Sequence, residues 1–199
     1  MKEIVLASGN AGKLKEIAAI LDGRGISLRS QSTLGVVPCE ETGLSFVENA
    51  ILKARNAARQ TGLPAIADDS GIAVDALAGA PGIYSARYAG EGASDEENLQ
   101  KLVADFKTSG SDNTACRFIC VVVYVAHEKD PLPQIFEGIW EGQLIATPQG
   151  ENGFGYDPIF WLPELGCTSA QLAPEEKNRI SHRGQALAKL SSQLQLVSS

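Results

Sequence analysis

The alternation of hydrophobic and polar residues along the chain predicts strands and helices in turn. The apolar stretch at residues 3–7 is typical of a buried strand. Apolar residues then recur every three to four positions, which predicts a helix over residues 12–21 that ends at Gly23 and Gly25. We therefore expect a strand that leads directly into a helix.

Two later helices are marked by their first residues. Ser45 and Ser94 are each followed three residues later by a glutamate, a pattern in which both side chains satisfy amides of the first helical turn. Apolar residues at helical spacing follow each serine, so we predict a helix over about residues 45–60 and another from Ser94 onwards. Nearer the end of the chain we expect a short acidic helix from about Pro174 and a final helix near residues 183–194.

Short apolar runs between these helices predict strands. "AIA" at residues 65–67 is typical of a short buried strand, and "IAVDAL" at residues 72–77 predicts a strand that either continues the first or returns. Two longer runs, near residues 115–127 and 134–145, are joined by the polar sequence "EKDPLP", which suits an antiparallel hairpin. Because helices alternate with strands early and a long hairpin comes late, we expect an α/β protein with a mixed β-sheet.

Composition limits the class of protein further. The 199 residues are 44% hydrophobic and show no break in composition, so we expect a single domain over residues 1–199. The longest apolar run, residues 121–126, is too short to span a membrane, and the absence of a signal-peptide pattern predicts a cytoplasmic location. A net charge of −7 argues against a nucleic-acid surface, which needs clustered lysine and arginine.

Two pairs of carboxylates are the strongest candidates for chemistry. "EETG" at residues 40–43 precedes a predicted helix, and "DDSG" at residues 68–71 follows a predicted strand. Mg²⁺ prefers oxygen ligands and is usually held by one or two carboxylates together with substrate phosphates. A carboxylate beside the metal can also take a proton from an attacking water.

The two adjacent aspartates can share one site only under a geometric condition. Successive side chains on a regular strand point to opposite faces, so Asp68 and Asp69 come together only if the chain turns at Ser70–Gly71. If that turn is absent, one aspartate is structural. Asp69 lies nearer the expected turn and is our candidate general base. A solvated strand end with a local Asx turn is the simpler alternative.

The first strand-to-helix connection, "SGNAGK" at residues 8–13, is a candidate phosphate loop. Gly9 and Gly12 allow close backbone approach, and the amides at the start of the helix attract anions. A Walker loop would place serine or threonine after the lysine to hold magnesium, whereas here Leu14 follows Lys13. Any metal would therefore need ligands from elsewhere, and an ordinary strand-to-helix turn remains the alternative.

Basic side chains offer further contacts for an anion. Lys177, His182 and Arg183 form a cluster in "EEKNRISHRG", although basic residues near a helix end also stabilise the helix dipole. Lys53 lies in the middle of a predicted helix, where a single lysine is usually solvated.

The segment "GFGYD" at residues 153–157 is a candidate base-binding loop. Phe154 and Tyr156 are flanked by glycine and can stack on a nucleotide base, and Asp157 can accept a hydrogen bond. A pair of aromatic residues in the core is the alternative interpretation.

Seven motifs in this order resemble the inosine triphosphate pyrophosphatase family over nearly the whole chain. They are "SGNAGK" at 8–13, "EETG" at 40–43, "ENAILKA" at 48–54, "ADDSG" at 67–71, "GAPGIYSARY" at 79–88, "GFGYDPIF" at 153–160 and "SHR" at 181–183. Ser8 stands where the family commonly has threonine, and it keeps the hydroxyl.

The resemblance implies a fold, an activity and a set of site residues. The fold is an elongated mixed β-sheet with flanking helices that form two lobes and a central cleft. The activity is Mg²⁺-dependent hydrolysis of ITP, dITP and XTP to the monophosphate and pyrophosphate by a homodimer. The implied metal ligands are Glu40 or its neighbour Glu41, together with Asp68 and Asp69, and Asp69 is the general base. The implied substrate-binding residues are Ser8, Gly9, Asn10, Ala11, Gly12, Lys13, Lys53, Ser70, Phe154, Gly155, Tyr156, Asp157, Lys177, His182 and Arg183.

Two other functions stay open at this level. A Maf-type nucleotide pyrophosphatase would resemble this chain in fold but act on pyrimidine or modified nucleotides, and the "SHR" and "GFGYD" segments argue against it. A nucleotide sensor without catalysis would bind the triphosphate without turnover. The acidic pairs argue against a sensor, because without a metal they would repel the ligand.

Overall fold

The structure is a computed structural model that describes residues 2–23 and 26–196, so the predicted helix end at Gly25 lies outside the described residues. The helices of this part of the chain are α1 (Ala11–Leu21), α2 (Phe46–Thr61), α3 (Asp95–Ser109), α4 (Pro174–Ile180) and α5 (His182–Leu196). The strands are β1 (Lys2–Leu6), β2 (Ile26–Ser30), β3 (Ala65–Val74), β4 (Ala115–Val125), β5 (Gln134–Leu144), β6 (Phe160–Leu162) and β7 (Cys167–Thr168).

The strands form one mixed sheet in the order β2-β1-β3-β4-β5-β6-β7. β1 pairs in parallel with both β2 and β3, whereas β6 pairs antiparallel with both β5 and β7. The α/β class and the mixed sheet with flanking helices are confirmed. None of the described helices is long and apolar enough to cross a membrane.

The chain divides into two compact units. The first unit comprises the residues up to Asp69, Cys120–Gly138 and the residues from Arg183 onwards, and the second comprises Ser70–Ile119 and Ile139–His182. The chain passes between the units four times, and three of these passages occur inside β3, β4 and β5. The single domain and the cleft between lobes stay predictions.

In the first unit, the two faces of the sheet have different coverings. One face packs against α1 and α5 through Ile4, Leu6, Ile17, Leu21, Ile66, Cys120, Val122, Ala186, Leu187 and Leu190. The opposite face packs against α2 through Val5, Ala7, Ala50, Ala54, Ala57, Ala65, Ala67, Val121 and Val123. Because neighbouring residues of a strand alternate between faces, residue 66 of β3 points towards α1 and α5 and residue 67 points towards α2.

The second unit has its own core, formed around α3 and a group of aromatic side chains. Buried members of this core include Ile72, Val74, Leu99, Leu102, Phe118, Trp140, Tyr156, Ile159 and Phe160. The Phe118 and Phe160 rings lie 4.5 Å apart between their centroids, and the His182 ring stacks on Phe118 at 4.7 Å. His182 is therefore part of the packed interior of this unit.

Both predicted helix caps are present. The Ser45 hydroxyl accepts a hydrogen bond from the Glu48 amide at the start of α2, and α3 begins with a complete capping box between Ser94 and Glu97. The structure decides between the two arrangements that the sequence left open for the apolar runs at 65–67 and 72–77. The second run continues the first, because β3 extends from Ala65 to Val74 through both aspartates without a turn at Ser70–Gly71, and Asp75–Leu77 then form a short 3-10 helix.

Candidate active site

The continuity of β3 places its two aspartates on opposite faces of the sheet. Asp68 follows Ala67 and contacts side chains from α1 and α5, whereas Asp69 contacts side chains from α2. Both aspartates are buried, which a carboxylate accepts only when cations or hydrogen-bond donors face it. The two carboxylates therefore have different direct contacts.

Asp68 lies between two cations. Its Oδ2 atom is 3.1 Å from the Lys13 ammonium and 3.4 Å from the Arg183 guanidinium. Burial alone would raise the pKa of Asp68, but the charges of Lys13 and Arg183 outweigh it and hold the pKa well below its usual range. Asp68 is thus a firmly ionised carboxylate that positions both cations.

Arg183 has a second carboxylate partner, Glu16 of α1. The guanidinium is almost fully buried, and it connects Glu16 with Asp68. Arginine suits this position because its planar group pairs with carboxylates in a fixed geometry and always keeps its charge. The orientation of Arg183 therefore depends on α1 as well as on β3.

Asp69 shares a lysine with the acidic loop. The Lys53 ammonium lies 2.8 Å from Asp69 Oδ1 and 3.1 Å from Glu41 Oε1. Burial raises the pKa of Asp69, and Lys53 and Lys13 offset only part of that effect. For Lys53, burial disfavours the ammonium, but Asp69, Asp68 and Glu41 outweigh it and raise its pKa. The lysine is therefore charged, while Asp69 is a stronger base than an exposed aspartate.

Asn49 connects the acidic loop with Asp69. This side chain is fully buried, its Oδ1 atom accepts a hydrogen bond from the Gly43 amide at 2.8 Å, and its Nδ2 atom donates to Asp69 Oδ2 at 3.5 Å. A Cβ atom on Gly43 would lie 2.7 Å from Asn49 Oδ1, so the loop packs closely on α2. Glu40, by contrast, is exposed, and it is Glu41 that reaches Lys53.

The geometry around Lys53 is suited to a hard divalent cation. The Asp69 and Glu41 carboxylates converge on one ammonium, which shows that a positive charge is held at that point. Both donors are carboxylate oxygens, the ligand type that Mg²⁺ prefers. In residues 2–23 and 26–196, no three His, Cys, Asp or Glu side chains are grouped closely enough to hold a metal by themselves, so a cation here would need ligands from the substrate as well.

The loop from Ser8 to Lys13 leads from β1 into α1. Asn10 caps the helix by accepting a hydrogen bond from the Lys13 amide at 3.0 Å, and the buried Ser8 hydroxyl accepts one from the Asn10 amide at 3.3 Å. Gly9 and Ala11 are exposed, and Gly12 is half-buried. The amide end of α1 is therefore accessible next to Lys13.

In the second unit, Asp157 organises the predicted base-binding loop. Its carboxylate accepts hydrogen bonds from the Phe154 amide at 2.8 Å, the Ser169 hydroxyl at 2.8 Å and the Lys177 ammonium at 2.5 Å. The Lys177 ammonium also lies 5.1 Å from the centre of the Phe154 ring. The structure thus brings together three predicted site residues, Phe154, Asp157 and Lys177.

The other predicted residues of this loop have mainly structural contacts. The buried Tyr156 hydroxyl donates to the Ser85 carbonyl at 2.7 Å, and burial raises the pKa of this phenol. The Gly155 amide donates to Asp95 at 3.0 Å. The alternative of a core aromatic therefore describes Tyr156, while Phe154 is only half-buried. Ser70 is half-buried in β3, directly after Asp69.

Three residues of these clusters were missed in the sequence analysis: Glu16, Asn49 and Ser169. Glu16 lies three residues after Lys13 on α1, and Asn49 lies four residues before Lys53 on α2, so each shares a helix face with a predicted site residue. That spacing is a signal that the sequence contains. No comparable pattern points to Ser169, which meets Asp157 through tertiary folding.

The fold and these clusters define an α/β protein with a candidate anion-binding loop in its first unit and a buried acid–lysine pair in each unit. A model of the Ham1 family matches residues 4–193, and the chain belongs to that family. It is 57% identical over 187 residues to a dITP/XTP pyrophosphatase of Photorhabdus laumondii, covering 94% of this chain and 95% of the relative. A dITP/XTP pyrophosphatase of Escherichia coli strain K12 is also 57% identical, with the same coverage.

Solved structures agree with this assignment to the family. A HAM1 protein from Coxiella burnetii has a TM-score of 0.92 at 50% identity and covers 98% of this chain and 99% of its own. A nucleoside-triphosphatase / dITP/XTP pyrophosphatase from Mycobacterium abscessus has a TM-score of 0.73 at 41% identity, covering 94% of this chain and 98% of its own.

Proposed function

We propose that this protein hydrolyses non-standard purine nucleoside triphosphates, dITP, ITP and XTP, to the monophosphate and pyrophosphate. The observation that carries the proposal is the buried Asp69, which shares the Lys53 ammonium with Glu41. It is supported by the relatives named dITP/XTP pyrophosphatase, which match this chain over 94% of its length. The activity would remove such nucleotides from the pool.

The triphosphate binds to the loop from Ser8 to Lys13. The start of α1 presents the positive end of the helix dipole to an anion, and Lys13 adds a charge beside it. Lys53 is a second phosphate contact, because an ammonium pairs with phosphate oxygens as readily as with carboxylates.

We assign Mg²⁺ as the cofactor and Glu41 and Asp69 as the residues that hold it, since both carboxylates point to one place. Bound Mg²⁺ supplies Lewis-acid charge that neutralises phosphate oxygens and polarises the reacting phosphoryl group. Glu40 and Asp68 as metal ligands stay predictions. Asp68 has the additional role of orienting Lys13 and Arg183, which lie 3.1 and 3.4 Å from it.

Asp69 acts as the general base. It takes a proton from a water, whose oxygen attacks the innermost phosphorus while the bond to the β-phosphate oxygen breaks and pyrophosphate leaves. Burial raises the pKa of Asp69, which makes the carboxylate a better proton acceptor. Asn49 holds the second oxygen of this carboxylate, at 3.5 Å.

Selection of the base rests on hydrogen-bond donors. Hypoxanthine and xanthine carry an oxygen acceptor at the sixth position where adenine carries an amino group, so backbone amides placed there favour the former, and Arg183 stays a predicted contact. Sites of this kind discriminate by roughly 10⁴-fold, because the wrong base leaves buried donors unpaired. Phe154 is the stacking residue, and Ser70, Gly155, Tyr156, Asp157, Lys177 and His182 stay predicted contacts.

The homodimer, the cytoplasmic location and the absence of nucleic-acid and membrane partners also stay predictions. We further propose that the two units function as one domain, because the chain passes between them inside three strands rather than through a linker.

The test of this function is a product assay. The protein is incubated with dITP, XTP and ATP in Mg²⁺, and pyrophosphate and orthophosphate are measured separately. We expect pyrophosphate from dITP and XTP and little turnover of ATP. Orthophosphate as the first product, or equal rates on ATP and dITP, would refute the proposal. Binding of ITP without turnover would instead indicate a nucleotide sensor.

A further inference from the structure

Lys53 occupies the point on which the two proposed metal-binding carboxylates converge. Its ammonium lies 2.8 Å from Asp69 and 3.1 Å from Glu41, and its side chain is only 16% exposed. Any cation held by the same two carboxylates would stand within a few ångströms of this ammonium. Two positive charges at that separation repel each other strongly in a site with little water.

The Lys53 ammonium is within ion-pair distance of both carboxylates, so it occupies the oxygens that the cation would need. The lysine must therefore move away when a divalent cation enters. Its four-carbon chain is flexible enough to do so while α2 stays in place.

A triphosphate offers the displaced ammonium a new partner. Phosphate oxygens form strong charge-assisted hydrogen bonds with lysine, so Lys53 exchanges one set of anionic oxygens for another. Asn49 meanwhile keeps its buried contacts with the Gly43 amide and with Asp69, so these contacts hold the acidic loop and Asp69 in position. The phosphate oxygens of the nucleotide thus replace the carboxylate oxygens as partners of the Lys53 ammonium.

Asp68 provides an internal contrast. It is paired with Lys13 and with Arg183, whose guanidinium is almost fully buried and also bound to Glu16. A guanidinium held by two carboxylates in the interior is poorly placed to move. Lys53, unlike Arg183, has a single ammonium on a flexible chain and can leave its carboxylates.

We propose that the Lys53 ammonium occupies the position of the divalent cation in the nucleotide-free protein. When the triphosphate binds, the ammonium moves to its phosphate oxygens and the cation takes that position, so that metal and nucleotide bind together. This inference rests on the proposed function. It assigns to Lys53 a role in the order of binding, in addition to its contact with phosphate. The lysine prevents stable loading of the metal alone.

The test is the affinity of the nucleotide-free, full-length protein for Mn²⁺, measured by titration calorimetry. Lys53→Met removes the charge at nearly constant volume. We expect Mn²⁺ to bind about tenfold or more tightly to this variant than to the wild type, because no like charge stands beside the carboxylates. Lys53→Gln keeps a donor towards Asp69 without the charge and should give the same result if Lys53→Met folds poorly.

Lys101→Met is the matched control. Its ammonium also pairs with a carboxylate, Asp105 at 2.9 Å, but both residues belong to α3 in the second unit. This variant should bind Mn²⁺ as the wild type does. Unchanged or weaker Mn²⁺ binding by both Lys53 variants would overturn the inference.

The calorimetric result is independent of turnover. If the wild type hydrolyses dITP but the Lys53 variants bind Mn²⁺ no more tightly, only the inference fails. If the variants bind Mn²⁺ more tightly but the wild type does not hydrolyse dITP, the charge exchange stands and the proposed function fails.

Discussion

Each of the two units contains a buried lysine–aspartate pair, and the two pairs differ in what else holds them. In the first unit, Lys53 and Asp69 are 2.8 Å apart with side chains 16% and 7% exposed. In the second unit, Lys177 and Asp157 are 2.5 Å apart with side chains 6% and 2% exposed. The second pair is closer and more completely shielded from water.

The partners of the two aspartates differ more than the pairs themselves. Asp157 also accepts short hydrogen bonds from the Phe154 amide and the Ser169 hydroxyl, both at 2.8 Å. Beside its lysine, Asp69 has the Asn49 amide at 3.5 Å, and that lysine is shared with Glu41. The same ion pair therefore serves as a fixed support where the carboxylate has several short bonds, and as an exchangeable contact where it has few.

Asp157→Ala is the strongest test of the fixed support. Removal of the carboxylate leaves the Lys177 ammonium in the interior without its nearest anion, a change that typically costs about 3–5 kcal/mol. We expect a loss of this size in the free energy of unfolding, measured by urea denaturation. The control is Glu3→Gln, which breaks an exposed pair with Arg29 and should cost less than about 1 kcal/mol. Equal losses in both variants would contradict the comparison.

Asp69→Asn tests the exchangeable pair. The variant keeps the size of the side chain but cannot accept the proton, so we expect turnover of dITP to fall by about 100-fold or more, as measured by pyrophosphate release. Its far-UV circular dichroism should stay that of the wild type. Activity within about threefold of the wild type would remove Asp69 from the mechanism, since general-base catalysis contributes more than that.

Two glycines of the base-binding loop provide a finer test of the support around Asp157. Both have positive φ, 77° for Gly153 and 60° for Gly155, but a Cβ atom on Gly153 would lie 2.0 Å from Asp157 Oδ2, whereas one on Gly155 meets nothing within 4 Å. Gly155→Ala should therefore lose about 1 kcal/mol of unfolding free energy through backbone strain alone. Gly153→Ala should lose a further amount of about 1–3 kcal/mol, because Asp157 must move. Similar losses would mean that the loop adapts around Asp157.

The sequence predicted the helices and strands better than their side-chain contacts. The helix starts at Ser45 and Ser94 are local signals, and both are confirmed. The sequence left open whether the strand continues through Asp68 and Asp69 or turns after them, because two adjacent carboxylates are unusual inside a buried strand. The strand tolerates them because α1, α2 and α5 supply cations from distant parts of the chain, which no local pattern indicates.

In the candidate site, too, local sequence patterns do not indicate the tertiary contacts. The motifs identify Lys53 and Asp157 as candidates, but only the tertiary structure distinguishes an exchangeable pair from a fixed one. The adjacent Glu40 and Glu41 illustrate this directly, because which of them faces Lys53 depends on how Gly43 packs against Asn49. Contacts between segments far apart in sequence thus determine which pair is exchangeable and which glutamate faces Lys53.

Ser45→Ala should have the smallest effect, and it tests whether the first turn of α2 supports the exchangeable pair. The Ser45 hydroxyl accepts from the Glu48 amide at 3.4 Å and donates to the Glu48 carboxylate at 2.7 Å, one residue before α2 begins. Loss of such a cap typically costs about 1 kcal/mol, which urea denaturation can measure. Asn49 lies in the same turn, so fraying of this turn should loosen the hydrogen bond between Asn49 and the Gly43 amide. We therefore expect dITP turnover to fall further than it does in a variant that loses the same stability elsewhere. The control is Ser94→Ala, which removes the cap of α3 and should cost a similar unfolding free energy. Identical dITP turnover in the two variants would show that the start of α2 does not position the acidic loop.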